Sequence, residues 1–370
     1  MARILYVITE LGLGGAEKAL FELATRLRDG FDPQVVSLTT EGPVGGMLIA
    51  SGIPARALGA RGKADIRALW RLRRIIRQSR PEIVHSFLFH ANMAARLAAV
   101  GTGVAAVVCS ARVAERARPR RRSLECRTHR LVDALVCVST GVRDYYAAGG
   151  FPREKLVVIP NGVDIGRFQG RDPSFKEKLG LAPEKPLITT IGRLHEQKGM
   201  SYFLRAAASL HHSRPGCHFL VVGAGPQDEE LRALARQLRI EPHVTFFGRC
   251  DDVAPVLKAS DVFVLASLWE GMPNVVLEAL AAGVPVVATR VEGVTDIIED
   301  GRTGVLVMPR DVPAIVTAVA RLLDEPERAA RLAEAGRAHV AAHFPLEAMV
   351  ERHAALYGDL LARAARAADP

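Results

Sequence analysis

Short apolar runs alternate with helical segments through the first part of the chain, and the runs themselves show no period-two alternation. Ile4–Thr9, Gln34–Thr39, Ile83–Phe87, Ala105–Ser110, Ala134–Val138 and Leu156–Ile159 read as strands buried on both faces. Ala16–Arg28, Met47–Ser51, Ile66–Arg77 and Asn92–Val100 read as the helices between them. Pro160-Asn161-Gly162 then breaks the series, and Asp164 to Pro186 is polar and rich in Pro and Lys. The pattern restarts with strands at Leu187–Ile191, His218–Val222, Val244–Phe247, Val262–Ala266, Val284–Thr289 and Gly304–Val307. Helices are expected at 199–212, 227–238, 252–258, 274–282, 312–324, 327–343 and 346–366. This βα alternation predicts an α/β protein with two doubly wound, Rossmann-like domains joined near 165–185.

Length agrees with two domains, since 370 residues exceed one ordinary core. Hydrophobic residues at 49% and charged residues at 24% exclude a disordered or collagen-like chain. The most apolar stretch, Leu97 to Ala111, is too short to span a bilayer and contains two glycines between Arg96 and Arg112. The first strand is followed at once by Glu10 and glycines, unlike a signal peptide. Cys109, Cys126, Cys137, Cys217 and Cys250 are scattered without a CxxC pair, which fits a reducing cytosol rather than a disulfide or zinc framework.

The charge is uneven. Residues 1–170 carry 26 basic and 14 acidic side chains, whereas the rest is slightly acidic. Two segments hold most of the excess. Ile66 to Arg77 reads as an amphipathic helix, with Ile66, Leu69, Trp70, Leu72, Ile75 and Ile76 opposite Arg67, Arg71, Arg73, Arg74 and Arg77. Arg112 to Arg130 contains eight arginines. Two readings stand side by side: a solvated Arg-rich face, or attraction to an anionic acceptor or anionic membrane surface. Nucleic acid is not expected, because no aromatic residue interleaves the arginine run.

The segment richest in chemistry is Trp269-Glu270-Gly271-Met272-Pro273-Asn274-Val275-Val276-Leu277-Glu278-Ala279. It follows a β run and opens a helix, with Pro273 near the first turn where a missing N–H costs nothing. The turn puts Glu270 at the strand's carboxyl end and Glu278 in the second helical turn, so both can reach one crevice at the strand ends. The helix N-terminal N–H groups from Met272 to Val275 suit an anionic phosphate, and carboxylates beside it suit sugar or ribose hydroxyls. Taken alone, either glutamate reads as a solvated helix charge, and Arg193 or Lys198 as a surface cation. The intervening turn and the strand-end placement favour the functional reading. The glycine-rich segments do not read as dinucleotide fingerprints: Glu17 fills the sixth position after Gly12, and Pro226 follows Gly225.

This arrangement resembles the Glu-x7-Glu motif of retaining glycosyltransferases of the GT-B fold, family 4 in particular, and the likeness covers nearly the whole chain. It is carried also by Gly14-Gly15-Ala16-Glu17, Ile159-Pro160-Asn161-Gly162-Val163-Asp164 and Gly192-Arg193-Leu194 with Lys198-Gly199. Val222-Gly223-Ala224-Gly225-Pro226, Val244-Thr245-Phe246-Phe247-Gly248, Gly283-Val284-Pro285-Val286-Val287-Ala288-Thr289 and Thr303-Gly304 follow in the family's order. The resemblance implies an acceptor domain at 1–165, a nucleotide-sugar domain at 166–345 and a crossover helix at 346–370 returning to the first domain, with the donor and acceptor sites in the cleft between the two.

It further implies that Arg193 and Lys198 bind the donor diphosphate and Glu278 the ribose hydroxyls. Glu270 and the segment Gly271, Met272, Asn274 and Val275 would hold the transferred sugar. Arg249 would line the base pocket, and Gly14 and Gly15 would approach the diphosphate. Two cations beside helix N-termini neutralise a leaving diphosphate without a metal, and no Asp-x-Asp appears, so no metal or other cofactor is expected. Glu270 is expected to orient the sugar and stabilise its developing positive charge, not to act as a nucleophile.

On the acceptor side many family members end a strand with Thr-x-His. Here the strand reads Cys109-Ser110-Ala111-Arg112, which puts Arg112 where the His would stand and makes it a candidate anion contact. His90, at the end of the neighbouring strand, is a candidate imidazole, while His85 reads as structural. The expectation is a retaining, metal-independent hexosyltransferase using a nucleotide-diphosphate sugar, with UDP the expected nucleotide. Its acceptor would be a hydroxyl on a lipid-linked glycan or other cell-envelope precursor, at the cytoplasmic face of the membrane. The alternatives are a GT-B sugar-nucleotide epimerase, a phosphorylase (disfavoured by size), or a non-catalytic nucleotide-sugar-binding protein.

Overall fold

The computed structural model describes residues 1–62, 65–116 and 118–368. Residue 117 of the arginine-rich segment and residues 369–370 of the expected crossover segment lie outside them. The chain divides into two compact units, one made of Met1–Asn161 with Leu346–Pro370 and the other of Gly162–Pro345.

The first unit is built on a seven-stranded sheet. Its strands are β1 (Ala2–Ile8), β2 (Phe31–Ser37), β3 (Ala55–Ala57), β4 (Ile83–Phe87), β5 (Ala106–Ala111), β6 (Ala134–Cys137) and β7 (Leu156–Val158). Their order is β3-β2-β1-β4-β5-β6-β7 and every pairing is parallel. The order reverses between β1 and β4, the switch point at which open α/β sheets leave a crevice at their strand ends. Both faces are covered, which is why β4 and β5 are buried at every position and show no alternation.

The second unit repeats the plan with β8 (Leu187–Ile191), β9 (His218–Val222), β10 (Val244–Gly248), β11 (Val262–Leu265), β12 (Val286–Thr289) and β13 (Val305–Val307). The order is β10-β9-β8-β11-β12-β13, again all parallel, with the switch point between β8 and β11. Each unit therefore has the doubly wound, Rossmann-like form expected from the alternation of runs.

The last helix, Leu346–Ala368, packs in the first unit: Leu346, Met349, Tyr357 and Leu360 join the core formed by Ile4, Tyr6 and Ile8. Burying each of these side chains contributes about 1.5–3 kcal/mol, enough to hold the helix on the sheet. A polar chain ties it down as well. Tyr357 OH lies 2.6 Å from His85 Nδ1, and His85 Nε2 lies 2.8 Å from Ser110 Oγ. Burial keeps both His85 and His353 well below the usual imidazole range, and the charge of Arg112 pushes the same way.

Several local expectations need correction. The helix expected at Met47–Ser51 runs from Gly42 to Ala50, because Val44 and Leu48 anchor it despite three glycines. β3 escaped the reading because an edge strand of sequence Ala-Arg-Ala carries no apolar run. Two short helices, Ile165–Phe168 and Ser174–Lys178, occupy the polar stretch. Pro273, expected near the first turn, is the N-cap of the helix Asn274–Ala281. In the helix Ile66–Ser79 the buried face is Ala68, Leu72, Ile75 and Ile76, so Ile66 and Trp70 are not core residues; they are 66% and 65% exposed.

Candidate active site

In the second unit, the two strands flanking the switch point each end in a loop, and the two loops are zipped together. Leu268 N–H donates to Gln197 O at 2.8 Å, and Gln197 Nε2 donates to Trp269 O at 3.0 Å. Gly199 has φ +60, and a Cβ there would stand 2.1 Å from Ala266 O, so only glycine admits this approach. Across the elbow, a Cβ on Gly293 (φ +74) would meet Gly271 O at 1.8 Å. The backbone that carries Lys198 is thereby fixed against the backbone that carries Glu270.

The side chains meet as a consequence. Lys198 Nζ lies 2.6 Å from Glu270 Oε1, and the same oxygen accepts from Ser267 Oγ at 2.7 Å. Thr289 Oγ1 in turn donates to Ser267 O at 2.6 Å. Glu270 is 4% exposed and Ser267 is fully buried. A carboxylate this deep requires a cation and hydrogen-bond donors, and it has both. Glu278, on the second turn of the helix Asn274–Ala281, is likewise only 5% exposed. Gly271 and Met272 are buried, and Asn274 and Val275 half-buried, at the start of that helix.

Arg193 projects exposed from the same loop as Lys198. The loop after β9 lies directly beneath it: a Cβ on Gly225 would meet Leu194 O at 2.3 Å, and one on Gly223 would meet Gly192 O at 1.9 Å. Arg249 follows β10, is exposed, and pairs with Asp251 at 3.4 Å. The structure thus brings Lys198 and Glu270 into contact and sets Arg193 on the shared loop, whereas Arg249 stands in a separate surface pair. Among the described residues no group of three or more His, Cys, Asp or Glu side chains is placed to hold a metal ion.

The first unit has its own cluster at the strand ends. Gly14 caps the helix Gly15–Arg26. Beneath it folds the buried side chain of Glu17, whose Oε2 lies 2.3 Å from where a Gly14 Cβ would be. Arg112 donates to Asn161 Oδ1 at 2.5 Å. Burial pushes the Arg112 guanidinium down to about 10, the Glu17 carboxylate opposing, so it is a cation at neutral pH.

His90 sits in the first turn of the helix Phe89–Ala99, after Leu88 in an unusual backbone state (φ 73, ψ 153) that is otherwise almost confined to glycine. Arg121 Nη2 lies 3.2 Å from His90 Nε2. A guanidinium only donates, so Nε2 must accept, which leaves the ring proton on Nδ1 and takes up the lone pair of a would-be base. Arg121 also bonds both Glu115 oxygens at 2.9 and 2.7 Å and covers the Phe89 ring at 4.8 Å. Arg122 stacks over Tyr145 at 4.4 Å. Arg121 and Arg122 are thereby tied into the fold, whereas Arg116, Arg118, Arg120, Arg127 and Arg130 of the same segment are exposed.

Sequence reasoning passed over Ser267 and Gln197, and assigned no role to Thr289, Glu17 or Asn161. Ser267 did carry a signal, being a hydroxyl directly after an apolar strand and three residues before the elbow glutamate. The partners of Glu17 and Asn161 lie on other strands and leave no local pattern.

Comparison with known proteins agrees with this fold. Residues 172–339 match the family Glycosyl transferases group 1, and residues 13–167 match Glycosyltransferase Family 4. The chain belongs to this family of GT-B glycosyltransferases. It is 33% identical to the lipopolysaccharide core biosynthesis glycosyltransferase LpsE of Rhizobium meliloti (strain 1021), over 60% of this chain and 64% of that one, so it spans under two thirds of that relative. It is also 33% identical to a GDP-mannose-dependent alpha-(1-6)-phosphatidylinositol monomannoside mannosyltransferase of Mycobacterium tuberculosis (strain CDC 1551 / Oshkosh), over 66% and 67%. In fold it is similar to Anabaena Alr3699/HepE, crystallised in complex with UDP-glucose, with a TM-score of 0.90, 20% identity and coverage of 97% and 100%.

Proposed function

We propose that this protein is a retaining glycosyltransferase that moves a hexosyl group from a nucleotide-diphosphate sugar to an acceptor hydroxyl without a metal. The observation that carries the reading is the Lys198–Glu270 contact at the β8/β11 switch point, with Arg193 on the same loop. A cation pair and a buried carboxylate side by side match a ligand that is anionic at its diphosphate and hydroxylated at its sugar.

In this mechanism Arg193 and Lys198 stabilise the charge that gathers on the diphosphate as the bond from the anomeric carbon to its oxygen breaks. The acceptor hydroxyl attacks that carbon from the same side and gives its proton to a diphosphate oxygen, which accounts for retention and balances the charge. Glu270 orients the sugar and stabilises its oxocarbenium character, and Glu278 holds the ribose hydroxyls. Arg112, kept charged between Glu17 and Asn161, serves as a contact for an anionic acceptor.

UDP is the proposed nucleotide, consistent with the UDP-glucose complex of the Anabaena neighbour. GDP is the second reading, favoured by the mycobacterial relative's GDP-mannose dependence. A lipid-linked or envelope glycan is the proposed acceptor class, in line with the lipopolysaccharide core and the phosphatidylinositol monomannoside that appear in the relatives' names.

The protein would meet such an acceptor as a peripheral membrane protein. Among the described residues no helix is long and apolar enough to cross a membrane. The helix Ile66–Ser79 instead exposes Ile66 and Trp70 beside Arg67, Arg71, Arg74 and Arg77, a composition suited to an anionic lipid surface.

The deciding experiment is thermal-shift binding of UDP, GDP, ADP and their common sugar conjugates, with EDTA present, on wild type and Glu278→Ala. Stabilisation by one nucleotide family, about 2.7 kcal/mol at a hundredfold excess over Kd, and its loss in the variant support the reading. Stabilisation by none of them rejects it.

A further inference from the structure

We infer that Ser267 is a positioning residue that sets which oxygen of Glu270 is presented to the sugar, an inference that rests on the glycosyltransferase reading above. Glu270 Oε1 receives two donors, Lys198 Nζ at 2.6 Å and Ser267 Oγ at 2.7 Å. A carboxylate oxygen has two lone pairs, so these donors saturate Oε1 and lock the rotation of the group. Among the described residues Oε2 has no hydrogen-bond donor, which leaves it as the oxygen that meets a sugar hydroxyl.

Lys198 alone would not enforce this choice. An ammonium on a flexible four-carbon stem is a point charge that follows either oxygen and is drawn toward an incoming diphosphate. The Ser267 hydroxyl is different, because it hangs from a backbone that cannot shift. Its carbonyl is held by Thr289 Oγ1 at 2.6 Å, the next residue is bonded to Gln197, and Gly199 closes against Ala266 from the other side. When Lys198 turns to the donor's diphosphate, Ser267 still holds Oε1 in place. The carboxylate then keeps its orientation through the reaction, which is the preorganisation that a transition-state contact requires.

This assigns Ser267 an effect on the sugar and none on the nucleotide. The test is isothermal titration of the whole protein with UDP, GDP and ADP and with their hexose conjugates, on wild type, Ser267→Ala and Ser267→Thr, with steady-state kinetics on the same three. In wild type the preferred conjugate binds more tightly than the bare nucleotide. In Ser267→Ala that margin is expected to shrink roughly 10–100-fold, the worth of one hydrogen bond to a charged group, with kcat falling alongside. Bare nucleotide affinity should stay as in wild type, while the melting temperature falls modestly because the buried Glu270 carboxylate loses one of its two donors. Ser267→Thr keeps the hydroxyl and should restore most of the margin.

An unchanged margin in Ser267→Ala overturns the inference. So does an equal loss of bare nucleotide affinity, or a threonine variant no better than alanine, since either marks Ser267 as a packing residue only. If wild type binds no nucleotide and no conjugate, the glycosyltransferase reading itself fails, and this inference with it.

Discussion

Lys198 and Glu270 stand 72 positions apart in the chain, yet Nζ and Oε1 lie 2.6 Å from each other. Each is the other's compensation for burial: Lys198 is 18% and Glu270 5% exposed at the side chain. Taking away one partner strands the other. Lys198→Ala should therefore destabilise the second unit by about 3 kcal/mol, read as a lowered melting temperature without ligand. Lys198→Met with Glu270→Gln should recover part of that loss, because it removes both charges together. A fully additive double variant would mean that the contact contributes nothing.

Arg193 is exposed and carries no comparable structural duty, so Arg193→Ala should fold as wild type. Its expected loss is functional: donor affinity and turnover fall together, with kcat/KM down about 10²-fold. Glu270→Gln, which keeps shape but removes charge, should leave bare nucleotide binding near wild type while lowering kcat by a similar factor. Rates measured with EDTA and with added magnesium should coincide; a tenfold rise with magnesium would overturn metal independence.

Sedimentation with vesicles addresses the membrane face. Binding to anionic vesicles should exceed binding to neutral ones and weaken as salt is raised. Arg74→Ala with Arg77→Ala should lower the partition roughly 30-fold, taking about 1 kcal/mol per arginine near the surface. Trp70→Ser should weaken it by removing an interfacial ring. Salt-insensitive binding, or none, would remove α-helical docking at Ile66–Ser79 from consideration.

Acid should weaken the fold within a definite window. Burial pushes both His218 and His353 down to about 4, against an unfolded value of 6.5. Between these values the unfolded chain binds protons that the folded one refuses, so stability is fully present above pH 6.5 and falls as pH drops toward 4. The loss is up to about 3 kcal/mol for each. Urea melts at pH 7.5 and 4.5 check the sign. His353→Gln should flatten part of the slope, and equal midpoints for wild type at the two pH values would refute the assignment.

The alternation of apolar runs and amphipathic segments was enough to read two parallel doubly wound sheets, because a strand buried on both faces must be apolar throughout and a covering helix must be apolar on one side. The candidate site's charged residues stood out for a related reason: Arg193, Lys198, Glu270 and Glu278 lie beyond the carboxyl ends of strands, where open α/β sheets leave a crevice for ligands. Their partners were not legible. Lys198 on Glu270, Arg112 on Asn161, Arg121 on His90 and Trp70 in solvent all depend on which strands become neighbours and how each helix rolls on its sheet. Those choices are made by packing between segments tens of residues apart. Local sequence determined which residues end the strands; tertiary structure decided which strand ends meet, since a hydrogen bond or ion pair needs its partners within about 3–4 Å and only the folded sheet order supplies that distance.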